Sequence, residues 1–288
     1  MIPSSFDYLV PTSVDETVAL LQAHAGDAKI LAGGQSLIPM LKLRLAEPAV
    51  LIDINRIPGI GYVEERNGAL HIGALARESD LESSAVVRQR YEILNDTTAV
   101  IADPLVRNSA TVCGNIAHGD PGNDHPATML ALDASFVARG PRGERRIAAR
   151  DFFLGLFSTA LNEEEILTDI VVPRPAERSG GAYLKLERKV GDYATAAVAA
   201  QIALDASGAC AYAGIGLTAV GTTPIKATGA EAALRGQPLT DDAIRAAAQI
   251  AADESDPTAD LRGPVEYKRA MVKELAKRAL TKARERAG

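Results

Sequence analysis

Tryptophan is absent from the sequence, and aromatic residues of all kinds make up only 4% of its 288 positions. A chain so poor in rings offers no platform for stacking nucleic-acid bases. A surplus of positive charge is missing too. The formal net charge is -6, which argues against a nucleic-acid surface. Cysteine is scarce: Cys113 and Cys210 are the 2 in the chain. They are too few for a disulfide framework or a four-thiolate iron–sulfur cluster. Long hydrophobic runs are lacking as well. Residues 194–204 form the longest mostly apolar stretch, which is about half a membrane span, and Thr195 and Gln201 interrupt it. The opening residues Ile2-Pro3-Ser4-Ser5-Phe6-Asp7 carry neither a basic nor an apolar leader region, which predicts a cytoplasmic chain without a secretory signal.

The composition is 47% hydrophobic and 24% charged, as in soluble globular proteins. The length suits two domains better than one. Basic residues cluster only near the end, at Lys273, Lys277, Arg278, Lys282, Arg284 and Arg286. Glu274 and Glu285 alternate with them, which predicts a solvated helix face.

Ser13 and Glu16 form a capping-box pattern before Val14, Val18 and Leu21 at helical spacing, so the first element is predicted to be a helix ending near Gly26. Strands are predicted at residues 28–31, 51–54 and 68–74. Helices follow at 78–83 and 86–102, a polar Gly-rich loop at 111–123, and a helix at 124–132. Residues 135–138 and 145–148 flank the turn Pro141-Arg142-Gly143-Glu144 and predict a hairpin. One more strand is expected at 166–172. Pro173-Arg174-Pro175 through Gly180-Gly181 is the best linker in the chain. Beyond it lie strands near 182–188, 194–204 and 210–217, then helices near 229–235, 240–253 and 264–286. That order predicts an α+β domain after an α/β beginning.

Two polar loops could carry chemistry. In Ala32-Gly33-Gly34-Gln35-Ser36, adjacent glycines let backbone N–H groups approach an anion, and Ser36 adds a hydroxyl. A tight strand-to-helix turn explains the same residues. Thr111-Val112-Cys113-Gly114-Asn115 runs on through His118-Gly119-Asp120-Pro121-Gly122-Asn123-Asp124-His125, which is either a ligand loop or a surface Ω-loop. Neither loop has the spacing of a Rossmann or Walker site. His118, Asp120, Asp124 and His125 could also be read as metal ligands, but the spacing fits no helical two-histidine motif, and no metal site is assigned. Lys185, Arg188 and Lys189 on one strand read equally as an exposed charged edge.

Taken together and in order, these segments resemble one family. They are residues 32–36 with Pro39-Met40 and Leu43-Arg44; Ile101-Ala102-Asp103-Pro104 with Arg107-Asn108; residues 111–115 running into 119–124; and Lys185-Leu186-Glu187-Arg188-Lys189-Val190-Gly191-Asp192-Tyr193. The resemblance is to the FAD-binding medium subunits of the molybdenum hydroxylases, above all the branch that oxidises carbon monoxide. It covers nearly the whole chain.

The resemblance implies an oxidoreductase subunit with an FAD-binding domain of two α/β subdomains over residues 1–177. A smaller α+β domain with a three-stranded sheet and helices follows over 178–288. FAD is expected between them, its pyrophosphate on the two Gly-rich loops. Position by position, Ala32, Gly33, Gly34, Gln35 and Ser36 and Thr111, Val112, Cys113, Gly114 and Asn115 become the FAD loops. Lys29, Ile101, Asp124, Leu167, Lys185 and Tyr193 match further flavin contacts. No residue is assigned to substrate chemistry. The partners implied are a small iron–sulfur subunit and a large subunit carrying the molybdopterin cofactor, joined as a dimer of heterotrimers. Electrons would leave to an external acceptor such as a quinone, with the complex on the inner face of the membrane. The medium subunit of another molybdenum hydroxylase (aldehyde, xanthine or N-heterocycle oxidising), a stand-alone FAD oxidoreductase and a binding module with an empty flavin site are the alternatives. Two positions depart from the family pattern: Gln35 replaces a frequent His, and Cys113 replaces a usual Gly, so position 113 must avoid positive φ.

Overall fold

The N-cap expected at Ser13 is formed, with its hydroxyl accepting the Glu16 N–H at 3.1 Å. The Glu16 carboxylate reaches past Ser13 to the N–H and hydroxyl of Thr12, at 2.7 and 2.9 Å. The computed structural model describes residues 2–288, and this helix belongs to the first of three units along them.

The first unit runs β1 (Asp7–Leu9), α1 (Val14–Ala23), β2 (Ala28–Leu31), α2 (Leu37–Leu43) and β3 (Val50–Asp53). Its sheet is parallel, ordered β1-β3-β2. The short β1 carried no sequence signal. Val18, Leu21, Val50, Ile52 and Ile54 make its small core.

The second unit opens with the hairpin β4 (Val63–Arg66) and β5 (Ala69–Gly73). Asn67 and Gly68 turn it with φ of 50° and 76°, the positive pair a two-residue hairpin requires. Then come α3 (Glu78–Ser83), α4 (Ala85–Arg90), α5 (Glu92–Ala99), α6 (Pro104–Arg107), α7 (Val112–His118) and α8 (Asp124–Ala131). The long helix expected over 86–102 is broken at Tyr91, whose ring is buried. Strands β6 (Ser135–Gly140), β7 (Gly143–Ala148), β8 (Phe153–Gly155), β9 (Ser158–Thr159) and β10 (Ile166–Pro173) complete the unit. Its main sheet has the order β4-β5-β10-β6-β7 and is antiparallel throughout, unlike the first.

The third unit has β11 (Ser179–Leu186), β12 (Ala196–Leu204), β13 (Cys210–Thr218) and β14 (Ile225–Lys226), followed by α9 (Thr228–Leu234), α10 (Asp241–Glu254) and α11 (Val265–Ala287). The three long antiparallel strands match expectation, and the two-residue β14 adds a fourth. The linker is short, because β11 already starts at Ser179. Strand β12 explains its apolar run by burial on both faces. Ala196, Val198, Ala200 and Ile202 join the core of the third unit, while Ala197 and Ala199 join that of the second. Helix α8 packs so closely on the sheet that a Cβ at Gly216 would overlap the Ala127 carbonyl.

The basic C-terminal face is not wholly solvated. Arg286 donates to Asp96 on α5 at 2.7 and 3.1 Å, and Lys282 reaches the same carboxylate at 3.0 Å. Asp96 concentrates two cations on one spot of the second unit, so α11 is tied to it. Among the described residues, no helix is long and apolar enough to cross a membrane.

Candidate functional site

A cleft of about 820 Å³ opens where the first two units meet the segment between β11 and β12. It is large enough for a dinucleotide-sized ligand. Of the residues singled out in the sequence, Lys29, residues 32–36, Ile101, Thr111, Cys113, Gly114, Asn115, Asp124, Leu167, Lys185 and Tyr193 all line it. Val112 does not. Its side chain is fully buried, and its N–H is used on the Ala76 carbonyl at 3.1 Å.

The first loop leaves β2 and enters α2. The N–H groups of Gly33, Gly34, Gln35 and Ser36 meet no acceptor among the described residues. Gly34 needs its glycine for a φ of 72°. Gly33 needs its own for a different reason: its Cα faces Ala110 and Thr111, where a Cβ would stand 2.8 and 2.9 Å from their backbone. The two loops therefore touch backbone to backbone. The Gln35 side chain is exposed and reaches back to the Gly33 carbonyl, at 3.4 Å. Lys29, exposed at the rim, has no carboxylate within 4.0 Å among the described residues.

The second segment is not a loop from 111 to 123. Thr111 caps α7, its hydroxyl accepting the Gly114 N–H at 3.1 Å, so residues 112–118 are helical. Thr111 had the residue type for an N-cap; the following Val-Cys-Gly hid the helix because all three are weak helix formers. Cys113 sits in the first turn with ordinary φ, as its Cβ demands. Its thiol points into the core toward the carbonyls of Ile72 and Gly73, and burial pushes its pKa well above the usual thiol range. Asn115 supplies a sharper sign of a ligand: its Oδ1 is buried and has no partner within the chain.

At the base of the cleft lies a charged network. Lys185, only 3% exposed, donates to Asp124 at 2.9 Å and to the Val100 carbonyl at 3.1 Å. Tyr183, which the sequence did not single out, donates its hydroxyl to the other Asp124 oxygen at 2.5 Å. Burial raises the Asp124 pKa against the pull of Lys185, and the Tyr183 pKa rises well above normal, first through burial and then through Asp124. Lys185 is thus not part of a solvated charged edge.

The mouth is formed by residues the sequence marked only in part. Tyr193, 49% exposed, lies over Gly122, where a Cβ would come within 3.0 Å of its ring. Its segment is fastened through Asp192, which accepts from Arg188 at 3.0 Å and Arg262 at 3.1 Å. Gly191 packs on Ala102, a non-glycine residue at φ 44°. Opposite, the β8–β9 hairpin presents Phe157, whose ring centroid is 5.1 Å from that of His118. Burial lowers the His118 pKa, which favours a neutral ring. The four residues that could have formed a metal cluster are dispersed. His125 is buried against Glu78 at 2.7 Å, Asp124 faces Lys185, and Asp120 accepts the Gly122 N–H at 2.8 Å.

The arrangement suits FAD. Unused amides and the spare Asn115 oxygen meet polar groups, Lys29 offers a cation, and Ile101 and Leu167 give apolar wall.

Comparison with known proteins gives a consistent result. Residues 4–175 match the family model described as the FAD binding domain in molybdopterin dehydrogenase, and residues 181–283 match the CO dehydrogenase flavoprotein C-terminal domain. The chain is 47% identical to the carbon monoxide dehydrogenase medium chain of Hydrogenophaga pseudoflava, over 98% of each chain. It is 42% identical to the medium chain of the same name from Afipia carboxidovorans, over 100% of this chain and 99% of that one. It superposes on the solved Hydrogenophaga pseudoflava carbon monoxide dehydrogenase, in a form lacking the Mo-pyranopterin moiety, with a TM-score of 0.96 at 48% identity, covering 99% of each chain.

Proposed function

The chain belongs to the family of FAD-binding flavoprotein subunits of the molybdopterin dehydrogenases, and on that premise we propose that it is the electron-transfer medium subunit of a carbon monoxide dehydrogenase. Bound FAD supplies the redox chemistry, taking electrons from an iron–sulfur subunit and passing them to an external acceptor. The chain's own part is to bind, orient and shield that group. The observation that carries the reading is the convergence of Lys29, both Gly-containing segments and the Asp124–Lys185 pair on one cleft. Residues 33–36 hold the pyrophosphate by their unused backbone N–H groups, joined by the N–H of Cys113, since those of Gly114 and Asn115 are spent on Thr111. Ile101 and Leu167 wall the ring system, Lys185 and Asp124 serve its polar end, and Tyr193 covers one face.

Oxidation of the substrate at molybdenum belongs to a large partner subunit, and the iron–sulfur clusters belong to a small one. A dimer of heterotrimers delivering electrons to a quinone at the inner membrane face completes the reading, with the division between the two domains of this chain at 177/178. The test is flavin content. The purified chain or complex holds about one FAD per chain without a covalent bond, so acid precipitation releases it to the supernatant. Flavin retained in the pellet, or FMN in its place, overturns the reading.

A further inference from the structure

Outside the residues that line the cleft, a chain of polar groups joins the two Gly-containing segments. Asp53 caps the turn after β3, accepting the N–H of Asn55 at 2.9 Å and its Nδ2 at 2.6 Å. The same Asn55 amide donates to the Ala32 carbonyl at 2.9 Å. Its Oδ1 accepts from Arg77 Nη2 at 2.6 Å. The other arm of the guanidinium, Nη1, donates to the Ser109 carbonyl. Tyr8 closes the far end by donating to Asp53.

The orientation of Asn55 is fixed by its partners. Ala32 O and Asp53 are both acceptors and require the NH₂ group, while Arg77 is a donor and requires the oxygen. Both N–H donors of that amide and one lone pair of its oxygen are used, each in one sense only. The Arg77 fork likewise matches two acceptors at a set angle, which an ammonium group cannot do. Arg77 is also held by its own backbone, for it pairs with Thr111 in a β-bridge, and Glu78 N–H donates to the Ala110 carbonyl at 3.0 Å.

We propose that Arg77 and Asn55 are positioning residues that set the spacing of the two FAD loops, one hydrogen-bonded relay gripping Ala32 on one side and Ser109 on the other. The inference rests on the flavin reading above. A diphosphate bridging two segments needs both sets of amides at one separation. The Gly33 contact sets the closest approach of the loops, and the relay opposes their drifting apart. Loops spaced in advance bind without an ordering cost at the moment of binding.

The full chain, freed of flavin, tests this with Arg77→Met, Arg77→Lys and Asn55→Ala. Asn55 is exposed, so its variant folds even where removal of Arg77 disturbs packing. Amide hydrogen exchange of Ile38 and Met40, whose N–H groups bond the Gly34 and Ser36 carbonyls at 2.9 and 3.2 Å, should quicken in Arg77→Met and Asn55→Ala, although Arg77 lies far from these residues in sequence. FAD affinity should fall roughly tenfold or more, as loss of a charge-assisted bond implies. Arg77→Lys, which keeps the charge and loses the fork, should fall between. Unchanged exchange at Ile38 and Met40 in both Arg77→Met and Asn55→Ala overturns the proposal, whatever happens to flavin affinity. Altered exchange in a chain whose wild type binds no FAD overturns the flavin reading and leaves the loop-spacing role supported.

Discussion

Gly33 lies directly against Ser109, so close that a Cβ on the glycine would overlap the Ser109 carbonyl oxygen. The sequence suggested that both Gly33 and Gly114 are small to admit a pyrophosphate. The structure gives each a neighbour in the protein instead: the Ser109–Thr111 backbone for Gly33, and the Thr111 hydroxyl for Gly114.

This difference predicts different outcomes for the same substitution. Gly33→Ala must push two backbone segments apart, and FAD binding should fall severely. Gly114→Ala meets only a side chain. The Thr111 cap it displaces contributes about 1 kcal/mol, and alanine returns about as much by its better helix propensity. Its thermal stability should therefore stay within a few degrees of wild type, with a milder loss of flavin. Flavin content measured beside circular dichroism checks both. Equal flavin retention in the two variants would refute the distinction.

Much of the fold was legible because its signals are local. The Ser13 cap, the hairpin turn at 141–142 and the strand Ala28–Leu31 each follow from residues adjacent in sequence. What stayed hidden depends on distant partners. Strand β1 is three residues long and exists because β3 pairs with it. Helix α7 is the local exception, its Thr111 cap masked by the weak helix formers Val-Cys-Gly that follow. In the cleft, the segments at 32–36 and 111–115 announced themselves by glycine, and Lys185 came by resemblance. Tyr183 and the Arg77–Asn55 relay gave no signal, since each acts on a residue far along the chain.

Lys185→Met should expose the dependence of Asp124 on its cation. Losing one member of a buried pair costs about 3 kcal/mol, and here the penalty should depend on pH. Burial already raises the Asp124 pKa, and removing Lys185 takes away the influence that lowers it. With the folded pKa above the unfolded value, stability is full below the unfolded pKa and is lost as pH rises through the folded one. The deficit should thus be small near pH 4 and grow toward neutrality. Denaturant midpoints of wild type and variant across that range check the sign. A deficit that is constant with pH would show that Asp124 carries no part of it.

Tyr193 should govern access more than affinity. Its ring covers Gly122 at the mouth, and Arg188 and Arg262 hold its segment through Asp192. Tyr193→Ala leaves both Gly-containing segments in place, so flavin should bind only about 1 kcal/mol more weakly, the worth of a lost ring contact. The rate at which reduced flavin reacts with small acceptors should change by a larger factor. Stopped-flow reoxidation of the two proteins compares them directly. Identical rates would end the gating role.

The isolated chain should be unable to oxidise carbon monoxide. In its cleft Asp124 is committed to Lys185 and Tyr183, and Asp120 to the Gly122 N–H. His118 is packed against Phe157, and the Cys113 thiol is turned into the core. These side chains are not placed to activate water, so the isolated chain should only pass on electrons it is given. Alone it should show at most a slow diaphorase activity with artificial donors. In the assembled complex, carbon monoxide should bleach the flavin absorbance, and removing the iron–sulfur partner should stop the bleaching. Bleaching of the isolated chain by carbon monoxide would overturn the relay. A complex inert to carbon monoxide but active on an aldehyde or N-heterocycle would keep the relay and replace only the substrate.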